Sequence, residues 1–340
     1  MRSPGEKNLR VVITRLGGPE VLKIVADEIP EPGSRQVRVK NLASGVAYAD
    51  VLMRHGLYPK APPFPFAPGY DIVGDIDAVG EGVRGFSIGQ RVAALTMIGG
   101  YAQFTLVPAE HLVAVPSNLD PAEAVSLVLN YVTAYQMMYR CAHLGSGKSL
   151  LVHGAAGGVG TAALQLGKIS GLRMFGTASK AKHPLVVSLG ATAIDYRSEN
   201  FEKRLRELSP GGVDCVLDPI GGTHWLSSYR CLAPGGALAC YGASSAVAEG
   251  KLSAGLGFTL LGLLKLVPDG KRAFWYNSKL LRDAHPEQFR EDLGKLFELL
   301  AQRKIQPVIA EKIPLRQAAE ANRLLEQAQI SGKIVLLPEA

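Results

Sequence analysis

Cysteine is scarce in this sequence of 340 residues, and the few thiols are not arranged for bonding. The four cysteines, Cys141, Cys215, Cys231 and Cys240, lie far apart, and none belongs to a C-x-x-C motif. This spacing argues against a disulfide framework and against a structural zinc site made of four thiolates. We therefore expect reduced, buried thiols in a cytoplasmic protein.

Long apolar runs are also lacking. The longest, Leu252–Val267, is interrupted by three glycines and by Lys265, and it is shorter than the roughly 20 residues that a bilayer requires. The first ten residues are polar and lack the apolar stretch of a signal peptide. We expect no membrane span, and we interpret Leu252–Val267 as a core, interface or pocket-lining segment.

The net charge of +7 is not concentrated in one stretch. The densest basic cluster, Lys203–Arg206, alternates with apolar and acidic residues, which is typical of a solvated helix face. No stripe of interleaved basic and aromatic residues suits a single-stranded nucleic acid. We therefore expect no nucleic-acid partner, and the basic balance leaves a phosphorylated small molecule as a candidate ligand.

The pattern of secondary structure changes near Asp120. Before it, short β-rich runs are separated by glycine and proline turns. After it, Asp120 is a candidate N-cap for a helical stretch, and from Ser149 strands alternate with helices, which predicts a doubly wound parallel sheet. The tail is predicted as strand Val308–Ile313, helix Leu315–Ala328 and strand Lys333–Leu337. Periodicity leaves open whether this tail completes the sheet or returns to the first domain.

A glycine-rich loop, His153–Gly160, follows one predicted strand and opens a helix. In the dinucleotide fingerprint G-x-G-x-x-G, Ala155 stands at the first glycine position, and Gly157 and Gly160 fill the other two. A turn without a ligand is the alternative. The flanking strand, helix and β-α repeats favour a dinucleotide whose pyrophosphate lies at the helix N-terminus.

The end of the next strand distinguishes the two nicotinamide cofactors. NAD sites usually place an acid about 20 residues after the loop. Phe175–His183 contains no acid and instead offers hydroxyls together with Lys180 and Lys182, which suit a 2′-phosphate. The alternative is that these lysines merely begin a solvated helix. The missing acid favours NADPH.

Several motifs occur together in the order found in one enzyme family. They are Gly45–Asp50, Arg54–Pro59, Pro68–Asp71, Gly89–Val92, Leu129–Tyr135, the glycine loop and Gly176–Ser179. With them, nearly the whole chain resembles the zinc-free quinone oxidoreductase branch of the medium-chain dehydrogenase/reductase superfamily, near the vesicle amine transport protein. The resemblance implies a β-rich GroES-like catalytic domain (1–125 and 312–340), a Rossmann domain (126–311), a cleft at their junction and a homodimer.

The resemblance also implies a set of cofactor contacts. Lys180 and Tyr196 would flank the 2′-phosphate, and Tyr241 would lie near the nicotinamide. The full set of implied cofactor-binding residues is Asn130, Thr133, Ala156, Gly157, Gly158, Val159, Gly176, Ser179, Lys180, Tyr196, Tyr241, Gly242, Ser244 and Lys333.

The zinc ligands of related alcohol dehydrogenases are not found at the matching positions. Ala47 or Tyr48 replaces the cysteine, and Gly69-Tyr70-Asp71 replaces a Gly-His-Glu motif. We therefore expect no metal site. Without a Lewis acid, alcohol oxidation loses its main means of stabilising an alkoxide, which favours hydride transfer to an acceptor that is already electrophilic.

These patterns predict an NADPH-dependent reductase acting on a quinone or another α,β-unsaturated carbonyl compound. Tyr58 and Tyr48 are the candidate catalytic hydrogen-bond or proton donors, although either could be a packing residue, and water could supply the proton. Asp50 is predicted to orient the nearby loop. The alternative function is an NADPH-binding protein that works through partners with little turnover. A zinc alcohol dehydrogenase is a more distant third.

Overall fold

The fold is described from a computed structural model that covers residues 5–338. These residues form two compact units, one comprising 5–129 with 279–338 and the other Asn130–Ser278. The predicted domain bounds place 279–311 in the second domain. In the structure this stretch groups with the first unit, where helix Pro286–Ala301 packs against strand Leu112–Ala114 and Arg290 donates to the carbonyl oxygen of Glu110.

The described strands are β1 Lys7–Ile13, β2 Leu22–Glu28, β3 Gln36–Gly45, β4 Asp71–Val79, β5 Arg91–Leu95, β6 Phe104–Pro108, β7 Leu112–Ala114, β8 Ser149–Val152, β9 Arg173–Ala178, β10 Ala191–Asp195, β11 Val213–Asp218, β12 Leu232–Cys240, β13 Arg272–Trp275, β14 Ile309–Pro314 and β15 Lys333–Leu337. The described α-helices are α1 Tyr48–Arg54, α2 Pro121–Ser126, α3 Val132–Tyr135, α4 Gly158–Ile169, α5 His183–Ser188, α6 Phe201–Leu208, α7 His224–Arg230, α8 Ala246–Glu249, α9 Lys251–Leu264, α10 Ser278–Ala284, α11 Pro286–Ala301 and α12 Ala318–Glu326.

The first unit is built on a β-sheet of order β14-β15-β3-β4-β5-β7, with β6 also paired to β3, and on the antiparallel pair β1 and β2. Alternating apolar residues on β3, β4 and β5 point to one core that includes Val37, Val39, Ile72 and Val92. The C-terminal strand β15 pairs antiparallel with β3. The tail therefore returns to the first unit, as the family resemblance implied.

The second unit is a six-stranded parallel sheet of order β10-β9-β8-β11-β12-β13. This is the Rossmann order 3-2-1-4-5-6, in which successive strands are added first to one side of β8 and then, from β11 onward, to its other side. Its core contains the fully buried Trp225 together with apolar residues of the central strands. The predicted doubly wound sheet is confirmed.

The helical stretch after Asp120 is less regular than predicted. Asp120 caps it, because its carboxylate accepts from the backbone N–H groups of Ala122 and Glu123. Two π-helical segments, Leu127–Tyr131 and Gln136–Cys141, flank the short helix α3. Such segments are frequent at functional sites, and the first of them contains Asn130.

Among the residues that the structure describes, no helix has both the length and the hydropathy that a membrane span requires. The apolar run Leu252–Val267 forms most of α9. One face of this helix is buried through Gly257, Leu261 and Leu264, and the opposite face is exposed.

Candidate functional site

The glycine loop lies between β8 and the N-terminus of α4, at the carboxyl edge of the parallel sheet. Gly157 is the N-cap of α4 and provides no side-chain cap, so the first-turn N–H groups of this 12-residue helix are available to an anion. The backbone N–H of Ala155 donates to the carbonyl oxygen of Thr177 on β9. The loop is thereby fixed to the second strand of the sheet.

Small residues are required where this loop packs. A Cβ added to Gly160 would lie 2.3 Å from the carbonyl oxygen of Gly154. One added to Gly176 on β9 would lie 2.7 Å from the Cβ of Ala155, which explains why both positions are occupied by such small residues. Ala156 is buried, whereas Gly157 and Val159 are half-buried at the helix start.

The first π-helical segment brings an amide side chain onto this loop. Asn130 is buried, and a Cβ added to Gly158 would lie 2.2 Å from its Nδ2 atom. Thr133, one turn further along the chain, is also buried, and its Oγ1 has no hydrogen-bond partner among residues 5–338. An unpaired buried hydroxyl is costly, which is expected where a ligand supplies the missing partner.

The loop after β12 packs against the loop after β11. The backbone N–H of Tyr241 donates to the carbonyl oxygen of Asp218, and that of Ser244 donates to the carbonyl oxygen of Pro219. A Cβ on Gly242 would lie 2.6 Å from the same Pro219 oxygen. Burial raises the pKa of Tyr241. In this loop the buried hydroxyl of Ser245 also lacks a hydrogen-bond partner within the described part of the chain.

Positive charge gathers at the carboxyl ends of β9 and β10. These strands are parallel neighbours with Ala178 opposite Asp195, so Lys180 and Tyr196 follow on from adjacent strands. Both of these side chains are exposed, whereas Ser179 is half-buried.

The charge at this edge includes one residue that the sequence analysis did not single out. The guanidinium of Arg197 lies over the Tyr196 ring at 5.9 Å from its centroid. The pKa of Lys182 is lowered by its burial and by the charge of Arg197. Arg197 is therefore a third cation beside Lys180 and Lys182, and it was missed because its role depends on the pairing of two strands.

In the first unit, Asp50 holds a loop in place, as the sequence predicted. Its fully buried carboxylate accepts from the backbone N–H groups of Ala47 and Gly69, at 2.9 and 3.2 Å, and from the Tyr101 hydroxyl at 2.9 Å. Burial raises the pKa of Asp50 to about 6, against the lowering effect of these donors. The carboxylate thus connects the start of α1 to the strand entry at Gly69.

The candidate donor Tyr58 is paired with a second tyrosine. Its hydroxyl lies 2.6 Å from that of Tyr70, and the two rings meet edge to face. Burial raises the pKa of Tyr58, so the phenol stays protonated at neutral pH. Tyr48 begins α1 in a different environment. Its pKa is raised by burial and then by the carboxylate of Glu326.

The Gly69-Tyr70-Asp71 segment differs from a zinc site in its charges. Lys333 on β15 donates to both oxygens of Asp71, at 2.9 and 3.1 Å, and both side chains are buried. A Cβ on Gly45 would lie 2.4 Å from Lys333 Nζ, so glycine is needed for this approach. The predicted cofactor contact Lys333 is thus an internal ion pair of the first unit, and its approach to a cofactor stays a prediction.

A second polar cluster lies at the carboxyl ends of the neighbouring strands β8 and β11. Potential metal-ligating atoms of His153, Asp218 and His224 lie within 4.8 Å of one another, the only such group among residues 5–338. Hydrogen bonds join these side chains: the Ser228 hydroxyl contacts Asp218 at 2.6 Å and His153 at 3.1 Å, and His224 contacts Asp218 at 2.7 Å.

Burial lowers the pKa of His153 to about 3, so this imidazole is neutral at physiological pH. Its other ring nitrogen lies 3.0 Å from the Thr177 hydroxyl. Hydrogen bonds alone therefore explain why His153, Asp218 and His224 lie close together. These bonds fix the end of β8, directly before the glycine loop.

Comparison with known proteins identifies the fold family. Residues 33–117 match the alcohol dehydrogenase GroES-like domain, and residues 189–336 match a family described as zinc-binding dehydrogenase. The chain is 34% identical to the synaptic vesicle membrane protein VAT-1 homolog of Danio rerio, over 97% of this chain and 70% of the relative. It is 33% identical to a quinone oxidoreductase of Pseudomonas aeruginosa, over 97% and 99% of the two chains.

Solved structures give the same result. The quinone oxidoreductase of Escherichia coli, complexed with NADPH, superposes with a TM-score of 0.88 at 29% identity, over 97% of this chain and all of the other. The human VAT-1 homolog-like protein superposes with a TM-score of 0.86 at 28% identity, over 99% of both chains. The chain therefore belongs to the medium-chain dehydrogenase/reductase superfamily, in the branch of the quinone oxidoreductases and VAT-1 homologues.

Proposed function

We propose that this protein is an NADPH-dependent reductase that transfers hydride to a quinone or another α,β-unsaturated carbonyl acceptor without zinc. The observation that carries the proposal is the combination of a glycine loop at a helix N-terminus with Lys180 and Lys182, and no acid, directly after β9, joined by Arg197 after β10. Phosphate groups are stabilised at both places, by free N–H groups at the first and by positive charge at the second.

The residues of the second unit fit a dinucleotide. The orphaned hydroxyls of Thr133 and Ser245 would gain partners from a bound cofactor, and Asn130 would line the loop. Lys180 and Arg197 would hold the 2′-phosphate, which is absent from NADH. The complex of the related Escherichia coli quinone oxidoreductase with NADPH supports this choice. When bound, NADPH supplies the hydride, and the protein supplies orientation and charge stabilisation.

The tyrosine pair supplies the donor. The 2.6 Å separation of the two hydroxyls allows either to donate, and in the arrangement we propose Tyr70, the more buried residue, donates to Tyr58. Tyr58 then keeps its own hydrogen for the carbonyl oxygen of the acceptor, where negative charge develops as hydride is added. Asp50 fixes the backbone at Gly69 and so positions Tyr70. Tyr48, beside Glu326, is the weaker candidate for a catalytic role.

The charges of the first unit suit an acceptor that is already electrophilic. Ala47 and Tyr70 offer neither a thiolate nor an imidazole, and Asp71 is already neutralised by Lys333. These groups would hold Zn²⁺ poorly, because zinc prefers sulfur and nitrogen ligands. Quinones and enones accept hydride at a conjugated carbon, and a hydrogen bond to their oxygen is sufficient assistance.

A second candidate function is an NADPH-binding protein that acts through partners with little turnover. Its support is the similarity to relatives named as synaptic vesicle membrane proteins, which are about as similar to this chain as the quinone oxidoreductases are. Both candidates require the same cofactor site, so binding alone does not separate them.

Turnover separates the two functions. The purified protein, treated with a chelator, would be mixed with NADPH and either 9,10-phenanthrenequinone or a simple enone, and cofactor oxidation would be followed at 340 nm. We expect acceptor-dependent oxidation that chelation leaves unchanged. Tight NADPH binding without oxidation by any acceptor would favour the partner-binding function, and activity restored only by added zinc would contradict the proposal.

A further inference from the structure

Four donor side chains converge in the second unit, at the ends of three of its elements. His153 directly follows β8, Asp218 is the last residue of β11, and His224 and Ser228 lie one turn apart on α7. His153, Asp218 and Ser228 are at most 1% exposed, whereas the side chain of His224 is 25% exposed. The group is therefore buried but can be reached from solvent along its His224 edge.

The spacing of these donors is close to that of a tetrahedral metal site. The Ser228 hydroxyl oxygen lies 2.6 Å from Asp218 Oδ2, 3.1 Å from His153 Nε2 and 3.4 Å from His224 Nδ1, and Nδ1 lies 2.7 Å from Oδ2. Both remaining separations, from His153 to Asp218 and to His224, are at most 4.8 Å. Zinc bonds of about 2.1 Å at tetrahedral angles separate neighbouring ligand atoms by about 3.4 Å.

The outer contacts that usually support metal ligands are also present. The other ring nitrogen of His153, Nδ1, lies 3.0 Å from the Thr177 hydroxyl, which can accept its N–H. The second carboxylate oxygen of Asp218 accepts the backbone N–H of Ile220 at 2.7 Å. In metal sites such partners fix the histidine tautomer and orient the carboxylate, and their loss weakens metal binding.

The charges of the buried ligands suit a divalent cation. Burial lowers the pKa of His153 to about 3, so its imidazole is neutral and has a lone pair to offer. Burial raises the pKa of Asp218, but its hydrogen bond with His224 and the nearby imidazoles lower that pKa by more. The carboxyl is therefore ionised at neutral pH. A neutral imidazole and a carboxylate are the forms that bind metal without first losing a proton.

We propose that His153, Asp218, His224 and Ser228 form a binding site for Zn²⁺. In the chain without metal, hydrogen bonds hold the same four side chains together, and the ion takes their place. Two imidazoles select a transition metal over Mg²⁺ and Ca²⁺, which prefer oxygen ligands. The site belongs to the second unit and the Tyr58–Tyr70 pair to the first, so the proposal does not rest on the reductase activity and requires no zinc for hydride transfer.

The first test uses Co²⁺, whose visible spectrum reports the geometry and the ligands of a zinc site. Full-length reduced protein would be titrated with Co²⁺ and then with Zn²⁺ or Mg²⁺. We expect one Co²⁺ per chain with the intense visible bands of a tetrahedral complex, displaced by Zn²⁺ but not by Mg²⁺. A weak octahedral spectrum would overturn the proposal. So would a thiolate charge-transfer band, because the potential metal-ligating group among residues 5–338 contains no cysteine.

The second test locates the site by substitution. His224→Gln removes one ligand at the partly exposed edge, and the Zn²⁺ dissociation constant from competition with a chromophoric chelator should rise by at least about a hundredfold. The matched control is His111→Gln, since His111 lies 3.9 and 4.0 Å from carboxylate oxygens of Glu110 and Asp283 and is the rival surface location. The control should keep the affinity of the natural protein. Unchanged affinity in His224→Gln, or a loss in His111→Gln, would contradict the assignment.

The third test reads the site through folding stability. A ligand that binds only the folded state raises the melting temperature. Zn²⁺ should therefore raise the melting temperature of the natural protein and of His111→Gln but not that of His224→Gln, with circular dichroism to show that each variant is folded. If His224→Gln does not fold, Ser228→Ala takes its place, and its Zn²⁺ affinity should fall by about tenfold. A melting temperature that Zn²⁺ raises equally in the natural protein and in the variant would place the ion elsewhere.

Discussion

Asp50 makes the stability of the first unit depend on pH in a direction opposite to that of most carboxylates. Burial raises its pKa from 3.8 to about 6, and the hydrogen bonds from Ala47, Tyr101 and Gly69 only partly oppose this. The folded protein therefore retains a proton that the unfolded chain has already lost between these two values. Folding stability should fall as pH rises through this window and should be regained as pH falls.

The size of the effect follows from the two pKa values. A pKa difference of about two units corresponds to a loss of about 3 kcal/mol of folding stability between pH values below 4 and above 6. Asp50→Asn removes the titrating group and keeps its shape. The free energy of unfolding of the natural protein, minus that of Asp50→Asn, should thus decrease by about 3 kcal/mol from pH 3 to pH 7.

The assay is urea unfolding of both proteins at several pH values, because the difference between them cancels the other titrating groups. Tyr101→Phe removes one donor to the carboxylate, so it should move the window to higher pH. A difference between the natural protein and Asp50→Asn that is constant from pH 4 to pH 7 would refute the assignment of a raised pKa to this carboxyl.

Three further substitutions test other parts of the account. Tyr58→Phe should lower kcat with a quinone by about tenfold or more, because the acceptor oxygen loses its hydrogen-bond donor. In the same steady-state kinetics the KM for NADPH should stay unchanged. An unchanged kcat would show that Tyr58 is a packing residue. Gly158→Ala would place its Cβ 2.2 Å from Asn130 Nδ2, so NADPH affinity measured by fluorescence titration should fall while the circular dichroism is unchanged. Lys333→Met leaves Asp71 buried without its cation, and a cost of about 3–5 kcal/mol should appear in chemical unfolding.

Local patterns in the sequence predicted much of the fold. Strand β15 has the predicted bounds, because its periodicity and flanking turns are local properties. The destination of the tail could not be derived in the same way. It depends on β15 pairing with β3, nearly 300 residues earlier in the chain, and only the family resemblance indicated it.

The apolar run at Leu252–Val267 shows a different limit. Composition alone suggests burial, but a helix turns its residues in several directions. Leu261 and Leu264 face the core, and Leu252 and Leu263 face solvent. The composition indicated an apolar segment, and only the structure shows which of its faces is exposed.

The candidate site, too, could be predicted from the sequence only in part. The glycine loop was evident from a motif, whereas the Tyr58–Tyr70 pair and the Lys333–Asp71 ion pair join residues from different elements. Arg197 was missed because it reaches the cationic edge only through the pairing of β9 with β10.

The central claim is that the cations after β9 select NADPH, and the most direct measurement is the pair of dissociation constants for NADPH and NADH. Both would be determined by titration for the natural protein and for Lys180→Ala. We expect NADPH to bind at least about tenfold more tightly than NADH, and we expect the substitution to weaken NADPH binding but to leave NADH binding nearly unchanged. Equal affinities in the natural protein, or equal losses in the variant, would contradict it.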